Sequence, residues 1–157
     1  MIGIIGLGLA GSALYKRFLK MGLDVLGYDI CCEALSQAEL SGVKVFDSPE
    51  KIGLLSNTIL LSLPDSKIVK IVVEGPSGLL QTISKNSLII DTTTADPEAS
   101  IDLAQRLKKR DIRFLDASII GSSKEIENGS AVVLCGGIKD DVAESKRILS
   151  VFAKQIF

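Results

Sequence analysis

The residues with the clearest capacity for chemistry are the glycines near the start of the chain. Gly6-Leu7-Gly8-Leu9-Ala10-Gly11 has the pattern G-x-G-x-x-G and follows the apolar run Met1 to Ile5. After a strand, this spacing is typical of a pyrophosphate-binding turn. The first glycine allows the tight turn, the second lets phosphates approach the backbone, and the third lets helix and strand pack closely. A helix predicted from about Ala10 to Met21 offers its N-terminal N–H groups to the phosphates.

The same fingerprint requires an acidic residue about 20 positions further on, where it bonds the adenosine ribose hydroxyls. In the segment DVLGYDI that residue is Asp29. A carboxylate there repels a 2′-phosphate, and the following segment DICCEA contains no arginine to compensate. The pattern therefore favours NAD over NADP as cofactor. The alternative interpretation is that Asp29 is only a turn residue.

The elements that must position these groups are short apolar runs alternating with helical segments. Several runs, such as TILLSL and SLII, are continuously apolar, which is typical of parallel strands buried on both faces. The alternation predicts a single α/β domain over residues 1–157, with a Rossmann-type, doubly wound and mainly parallel sheet. The predicted strands are Ile2 to Ile5, Asp24 to Tyr28, Val43 to Phe46, Thr58 to Leu63, Leu88 to Asp91, Ile112 to Asp116 and Ala131 to Cys135.

The intervening helices are predicted from capping and breaking residues. The predicted helices are Cys32 to Leu40, a short one opening at Ser48-Pro49, Ser66 to Val73, Pro97 to Arg110, and a last one from about Lys139 to Ala153. In an open sheet the ligand lies beyond the carboxyl ends of the strands. Leu63-Pro64 and Thr93-Thr94 follow the fourth and fifth strands, so they are expected to border the cofactor.

The composition argues against several other classes of protein. A formal net charge of −1 leaves no broad basic field for nucleic acid or for an acidic membrane surface. The three cysteines show no C-x-x-C spacing, which argues against a zinc site or a disulfide scaffold, and no metal ligands are predicted. The chain has no histidine, so it lacks a Ser-His-Asp or Cys-His set. The same cysteine usage predicts a reduced, cytoplasmic setting. A signal peptide is not predicted, because the first basic residues, Lys16 and Arg17, follow the apolar run instead of preceding it.

Four segments together resemble, in order and spacing, the N-terminal half of the β-hydroxyacid dehydrogenases. They are GLGLAGS, LLSLPDS, IIDTTTADP and FLDASIIGSSKEIENGSAVVLCGG. That family includes hydroxyisobutyrate dehydrogenase and tartronate semialdehyde reductase and is related to phosphogluconate dehydrogenase. The resemblance implies hydride transfer between a nicotinamide and a small hydroxyacid or its carbonyl form.

The resemblance also assigns expected roles to individual residues. It implies that Leu63 and Pro64 lie beside the nicotinamide half of the cofactor and that Thr94 contacts the cofactor. The segment DASIIGSS matches the family's substrate-binding segment without a gap, which implies substrate contacts from Ser118, Ile120, Gly121 and Ser122. Ile120 stands where the family has a serine that holds the substrate, and an isoleucine side chain donates no hydrogen bond.

In the family, a helical domain follows and supplies the lysine that acts as general acid and base, together with most of a homodimer interface. The sequence stops at FAKQIF, where that domain is expected to begin, so no catalytic residue is assigned to this chain and little turnover is expected from it alone. Lys124, in the substrate-like segment, is interpreted as a solvated loop lysine. The alternative function is a non-catalytic dinucleotide-binding or regulatory module, favoured by Ile120 and by the missing acid–base group.

Overall fold

The computed structural model describes residues 1–157 and shows one eight-stranded sheet with helices on both faces. The strands are β1 (Ile2–Ile5), β2 (Val25–Tyr28), β3 (Lys44–Val45), β4 (Thr58–Leu61), β5 (Leu88–Asp91), β6 (Arg113–Ile120), β7 (Ala131–Gly136) and β8 (Ala153–Ile156). The helices are α1 (Leu9–Lys20), α2 (Cys32–Leu40), α3 (Pro49–Leu55), α4 (Ser66–Glu74), α5 (Pro97–Lys108), α6 (Ser123–Asn128) and α7 (Lys139–Leu149), with a 3₁₀ turn at Leu79–Gln81.

The strand order is β3-β2-β1-β4-β5-β6-β7-β8. All neighbouring pairs are parallel except β6 with β7. The chain leaves β1 toward β2 and β3 on one side and returns to β4 on the other. Strand order therefore reverses between β1 and β4, and a crevice opens there at the carboxyl ends of the strands.

Each face of the sheet is covered by its own apolar cluster. On one face, α1 and α7 contribute Phe18, Leu14 and Leu149, and all three side chains are fully buried. On the other face, Val73 of α4 and Leu107 of α5 are also fully buried. β1, β4 and β5 lie between these clusters, which explains why they are apolar without alternation.

The predicted α/β class and its doubly wound sheet are confirmed, and the first five strands lie where the sequence predicted them, β3 and β4 being shorter. The predicted last helix is wrong in its final turn. α7 ends at Leu149, and Ala153 begins β8, an edge strand that the sequence analysis missed. Phe152 belongs to a turn rather than a helix, and its ring packs edge-on against Phe18 with centroids 6.1 Å apart.

The segment after the sixth predicted strand also differs from expectation. β6 continues to Ile120 because Ser118 to Ile120 pair with Val132 to Leu134 of β7. The residues expected to form a loop then begin α6, which carries Lys124. None of the seven helices combines the length and apolar character that crossing a membrane requires.

Candidate functional site

Two glycines of the first turn are required by the protein's own backbone. Gly6 has φ +91°, and a Cβ there would overlap the carbonyl oxygen of Ser62. A Cβ on Gly11 would overlap the carbonyl oxygen of Gly6. These glycines let α1 leave β1 at close range, as the sequence pattern predicts.

Gly8 is different, because nothing in the protein itself requires a glycine there. Its φ is −66°, which any residue adopts, and a Cβ added to it would meet no atom within 4 Å. The space in front of Gly8 is open and lies at the N-terminus of α1. A ligand that approaches the backbone at this point would occupy the volume that a side chain would fill.

No side chain of the protein compensates the free N–H groups and the positive dipole at the N-terminus of α1. Among the seven α-helices, α1 alone has neither a side-chain cap nor an acidic residue in its first turn. By contrast, Asp65 caps α4 and Asp96 caps α5. Unpaired N–H groups and the positive end of the helix dipole therefore face the open space at Gly8, an arrangement that favours an anion.

A cleft of about 700 Å³ extends from this point across the carboxyl edge of the sheet. Its volume lies in the usual range for a small-molecule site. The lining residues are Ile5, Gly6, Gly8, Tyr28, Asp29, Ile30, Pro49, Ser62, Leu63, Pro64, Ile68, Ile71, Val72, Gly75, Pro76 and Ser77. The sequence-predicted Gly6, Gly8, Asp29, Leu63 and Pro64 are thus brought together in one cleft.

The apolar wall of this cleft was missed by sequence reasoning. Ile68, Ile71 and Val72 of α4 form it, and Ile71 is 62% exposed. A helix that packs on a sheet shows one apolar stripe, whereas α4 carries apolar residues on a second side as well. The second apolar side of α4, visible in the segment SKIVKIVVE, could have predicted from the sequence that this helix faces a ligand.

Asp29 lies at the end of β2 and is held in place by the glycine turn. Its two carboxylate oxygens accept hydrogen bonds from the Leu7 N–H at 2.6 Å and from the Cys31 N–H at 2.8 Å. A carboxylate has about four lone-pair sites, so acceptor capacity remains on both oxygens. Asp29 is partly exposed and borders the cleft, with its orientation fixed before any ligand arrives.

The turn after β5 lies beside the Leu63–Pro64 segment. The Thr93 hydroxyl accepts a hydrogen bond from the Leu63 N–H at 3.1 Å, so this hydroxyl faces the protein. Thr94 is exposed, and its hydroxyl makes no hydrogen bond within the chain. Of the two threonines, Thr94 is thus the one whose hydroxyl is available to a ligand.

Asp91 at the end of β5 is 2% exposed and accepts the Thr93 N–H at 2.9 Å. Burial raises the pKa of Asp91 to about 6, and the Thr93 hydrogen bonds partly offset that rise. Asp116, its register partner on β6, adds a repulsion that also raises the pKa of Asp91. Asp91 does not line the large cleft, but the Thr93 turn joins it to the Leu63–Pro64 segment, which does.

The predicted substrate residues lie on β6 and at the start of α6, outside the lining of the large cleft. Ser118 is half-buried and its hydroxyl donates to Asp116 at 3.4 Å. Ile120 is 54% exposed, and Gly121 adopts φ +146° at the turn that follows. Ser122 caps α6, and its N–H and hydroxyl both contact the Glu125 carboxylate.

Lys124, near the start of α6, is exposed. It lies on a helix rather than in the loop where the sequence analysis expected it. Cys31 and Cys32 are exposed free thiols, and the structure contains no group of three or more His, Cys, Asp or Glu side chains arranged for a metal.

Comparisons with known proteins agree with this geometry. A family model described as the NAD binding domain of 6-phosphogluconate dehydrogenase matches residues 1–157. The mitochondrial 3-hydroxyisobutyrate dehydrogenase of Mus musculus is 29% identical over 155 residues, covering 99% of this chain and 46% of the mouse protein. The chain thus spans about half the length of the curated relatives it matches.

Two solved structures show the same fold. The 3-hydroxyisobutyrate dehydrogenase of Mycobacterium tuberculosis with L-serine has a TM-score of 0.92 at 22% identity, over 99% of this chain and 53% of that one. The imine reductase of Myxococcus stipitatus in complex with NADP+ has a TM-score of 0.92 at 18% identity, over 100% of this chain and 54% of that one. At these identities, the likeness concerns the fold.

Proposed function

The chain belongs to the family of NAD binding domains of 6-phosphogluconate dehydrogenase, and from this membership we propose that it is the cofactor-binding half of a hydroxyacid dehydrogenase. In this role it holds a nicotinamide dinucleotide for hydride transfer to or from a small hydroxyacid or its carbonyl form. The relatives that support this role are dehydrogenases, which favours it over the alternative of a non-catalytic regulatory module.

The observation that carries the proposal is the open, uncompensated N-terminus of α1 at Gly8. The pyrophosphate fits there because two conditions are met together: free N–H groups face the cleft, and the Gly8 backbone is accessible. The residues proposed to hold the dinucleotide are Gly6, Leu7, Gly8, Leu9, Ala10, Gly11, Asp29, Leu63, Pro64 and Thr94. The cofactor supplies the hydride chemistry, while these residues bind and orient it.

NAD is the proposed cofactor, although imine reductase structures with the same fold are complexes with NAD+ in one case and NADP+ in another. Asp29 is pre-oriented at the end of β2, where its carboxylate accepts ribose hydroxyls and repels a phosphate on the same carbon. Glu33, in the first turn of α2, adds a second negative charge to the neighbouring cleft of about 400 Å³. Lys16 lines that cleft too, and it pairs with Glu127 at 3.5 Å.

The proposed substrate segment comprises Ser118, Ile120, Gly121 and Ser122, at the carboxyl end of β6 and the turn into α6. Ser118 is its best candidate for a hydrogen bond to substrate, because Ser122 is engaged in capping α6 and Ile120 has no polar atom. An exposed isoleucine at this position favours a substrate with an apolar group facing β6. The proposed substrate class remains a small hydroxyacid.

Proton transfer at the substrate oxygen is proposed to come from outside residues 1–157. The chain has no histidine, and Lys124 is exposed on α6. A positioned acid or base typically contributes about 10² to 10⁴ in rate. The remaining half of the family's length is the proposed source of that group and of a homodimer interface.

The test is titration of the purified chain with NAD and with NADP. NAD is expected to bind about tenfold more tightly or better, and Asp29→Asn is expected to narrow the difference. The chain alone is expected to give little NADH from a panel of small hydroxyacids. Absence of binding by both dinucleotides would refute the proposed function, and a preference for NADP would refute the role of Asp29. Turnover that disappears in Lys124→Ala would place catalysis within this chain.

A further inference from the structure

We infer that Asp91 is a positioning residue for the bound dinucleotide. In its ionised form it holds the turn after β5, that turn holds the Leu63–Pro64 segment of the cofactor cleft, and protonation of Asp91 weakens cofactor binding. This inference rests on the proposed function. It adds to that function a pH dependence that arises at a residue outside the large cleft.

The connection runs through two hydrogen bonds between the ends of neighbouring strands. Asp91 accepts the Thr93 N–H at 2.9 Å, and the Thr93 hydroxyl accepts the Leu63 N–H at 3.1 Å. Thr92 adds a second link, since both its N–H and its hydroxyl donate to the Leu61 carbonyl oxygen, at 2.8 and 2.7 Å. Leu63 and Pro64 line the cleft, so the position of the Thr93 turn sets the position of part of its wall.

The carboxylate of Asp91 is buried without a cationic partner. It lies at the floor of a separate cavity of about 140 Å³ between α4 and α5. The charged groups around it are Asp116, its neighbour on β6, and three that line the same cavity, Lys70 on α4 and Asp102 and Arg106 on α5. Arg106 bonds Glu74 at 2.6 Å and Asp102 at 2.9 Å, and neither it nor Lys70 forms a salt bridge with Asp91.

Ionisation of Asp91 therefore occurs in a physiological range. Burial raises the pKa of Asp91 to about 6, with Asp116 contributing repulsion. Above that pH the Thr93 N–H donates to a charged acceptor, and such bonds are roughly twice as strong as neutral ones. Below it, the acceptor is neutral and the turn is held less firmly. The expected consequence is a loss of about fivefold in dinucleotide affinity between pH 8 and pH 5.

The first experiment measures the dissociation constant of NAD for the 157-residue chain at intervals from pH 8 to pH 5. Wild type is expected to weaken with a midpoint near 6, whereas Asp91→Asn is expected to bind at the weaker level across the range. Thr93→Val keeps the size of the side chain but removes the acceptor of the Leu63 N–H, so it is expected to lose the pH dependence as well. An acidic limb that persists in either variant would overturn the inference.

Asp116→Asn is the matched control. It removes the neighbouring charge but leaves the Asp91–Thr93–Leu63 hydrogen bonds intact, so the acidic limb is expected to remain with its midpoint at lower pH. A midpoint that stays in place or moves upward would contradict the electrostatic part of the inference.

A second measurement separates this inference from the proposed function. In the cofactor-free chain, the NMR amide signals of Thr93 and Leu63 are expected to shift together near pH 6 in wild type and to remain unshifted in Asp91→Asn. Amides that do not shift in wild type would overturn the inference whether or not a dinucleotide binds. Amides that shift while NAD affinity stays constant would overturn it too. Shifting amides without dinucleotide binding at any pH would refute both the proposed function and this role for Asp91.

Discussion

The first 74 residues and the last 45 build two different kinds of surface on the same sheet. From β1 to α4, the chain covers its strands on both faces and leaves a large cleft at Gly8 and Asp29. From β6 to β8, helices cover one face, while Ile120 and Leu134 remain 54% and 45% exposed on the other. Register pairs Ile120 with Val132 and Ser118 with Leu134, so these four side chains share that face.

The two regions differ in how far contacts within the chain explain their features. In the first region, Gly6 and Gly11 are required by contacts with the protein's own backbone, whereas Gly8 faces open space proposed for a ligand. In the second, an apolar sheet face is exposed without an internal reason, which is typical of surfaces that contact another molecule or domain. We therefore expect substitutions in the first region to affect folding or binding strongly, and those on the open face to affect neither.

The largest effect is expected from Gly11→Val. The new Cβ would overlap the carbonyl oxygen of Gly6, which is a backbone atom and not the end of a flexible side chain. We expect a loss of more than about 4 kcal/mol in the free energy of unfolding, or no folded protein. Urea denaturation followed by circular dichroism measures it. Gly8→Ala in the same turn is the control and is expected to unfold like wild type.

The next largest effect is expected from Gly8→Val, on binding rather than on folding. Its side chain would enter open space in the free protein but would occupy the place proposed for pyrophosphate. We expect NAD affinity to fall by more than about 100-fold while the circular dichroism spectrum is unchanged. Gly136→Val, on β7 with its nearest neighbour at 3.8 Å, is the control. Normal binding by Gly8→Val would exclude this turn as the phosphate site.

The first region could be predicted from the sequence because its signals are local. The glycine spacing and Asp29 follow each other within one strand–helix–strand unit, and each residue type has a specific backbone or hydrogen-bonding reason. The continuous apolar strands β4 and β5 were equally clear. Family membership and the α/β fold are confirmed, whereas the roles of the individual site residues stay predictions.

The second region was less predictable because its structure depends on contacts distant in sequence. β8, with the sequence AKQI, has no strong apolar alternation and is a strand because β7 offers it an edge, where the Phe157 N–H donates to Val133 at 2.9 Å. Phe152 continued the helical pattern of α7 but packs against Phe18 of α1. The role inferred for Asp91 could not be predicted from the sequence either. It depends on the burial of Asp91 and on the hydrogen bond between Thr93 and Leu63, a residue that follows β4.

A smaller effect is expected where the two regions meet, from Asp91→Asn on stability. The folded-state pKa of Asp91 is about 6 against an ordinary 3.8, so the folded state holds this proton more tightly than the unfolded state. Protonated Asp91 therefore contributes to the stability of the fold below about pH 4, and this contribution is lost as the pH rises to about 6. A shift of two pKa units corresponds to a destabilisation of about 3 kcal/mol by the ionised, buried carboxylate. Asp91→Asn removes that charge but also the charge-assisted hydrogen bond to Thr93, so the stability gained is smaller than this figure.

We expect Asp91→Asn to raise the free energy of unfolding at pH 7 by about 1–2 kcal/mol and to flatten its pH dependence between pH 4 and 6. Urea denaturation at a series of pH values measures both quantities. A variant less stable than wild type at pH 7 would show that the ionised carboxylate stabilises the fold. The hydrogen bond to Thr93 would then outweigh the cost of burying the charge.

The smallest effect is expected from Ile120→Ser on the open face of β6. Ile120 is 54% exposed, so the exchange should change the free energy of unfolding by less than about 0.5 kcal/mol and NAD affinity by less than about twofold. Its sequence neighbour Ile119 points to the opposite face and packs against the buried cluster of α1 and α7. Ile119→Ser is therefore the matched control, with an expected loss of about 1–3 kcal/mol. Equal losses in denaturation experiments on the two variants would mean that the face carrying Ile120 is covered in the isolated chain, for example by a second copy of it. The contrast between the two regions would then disappear.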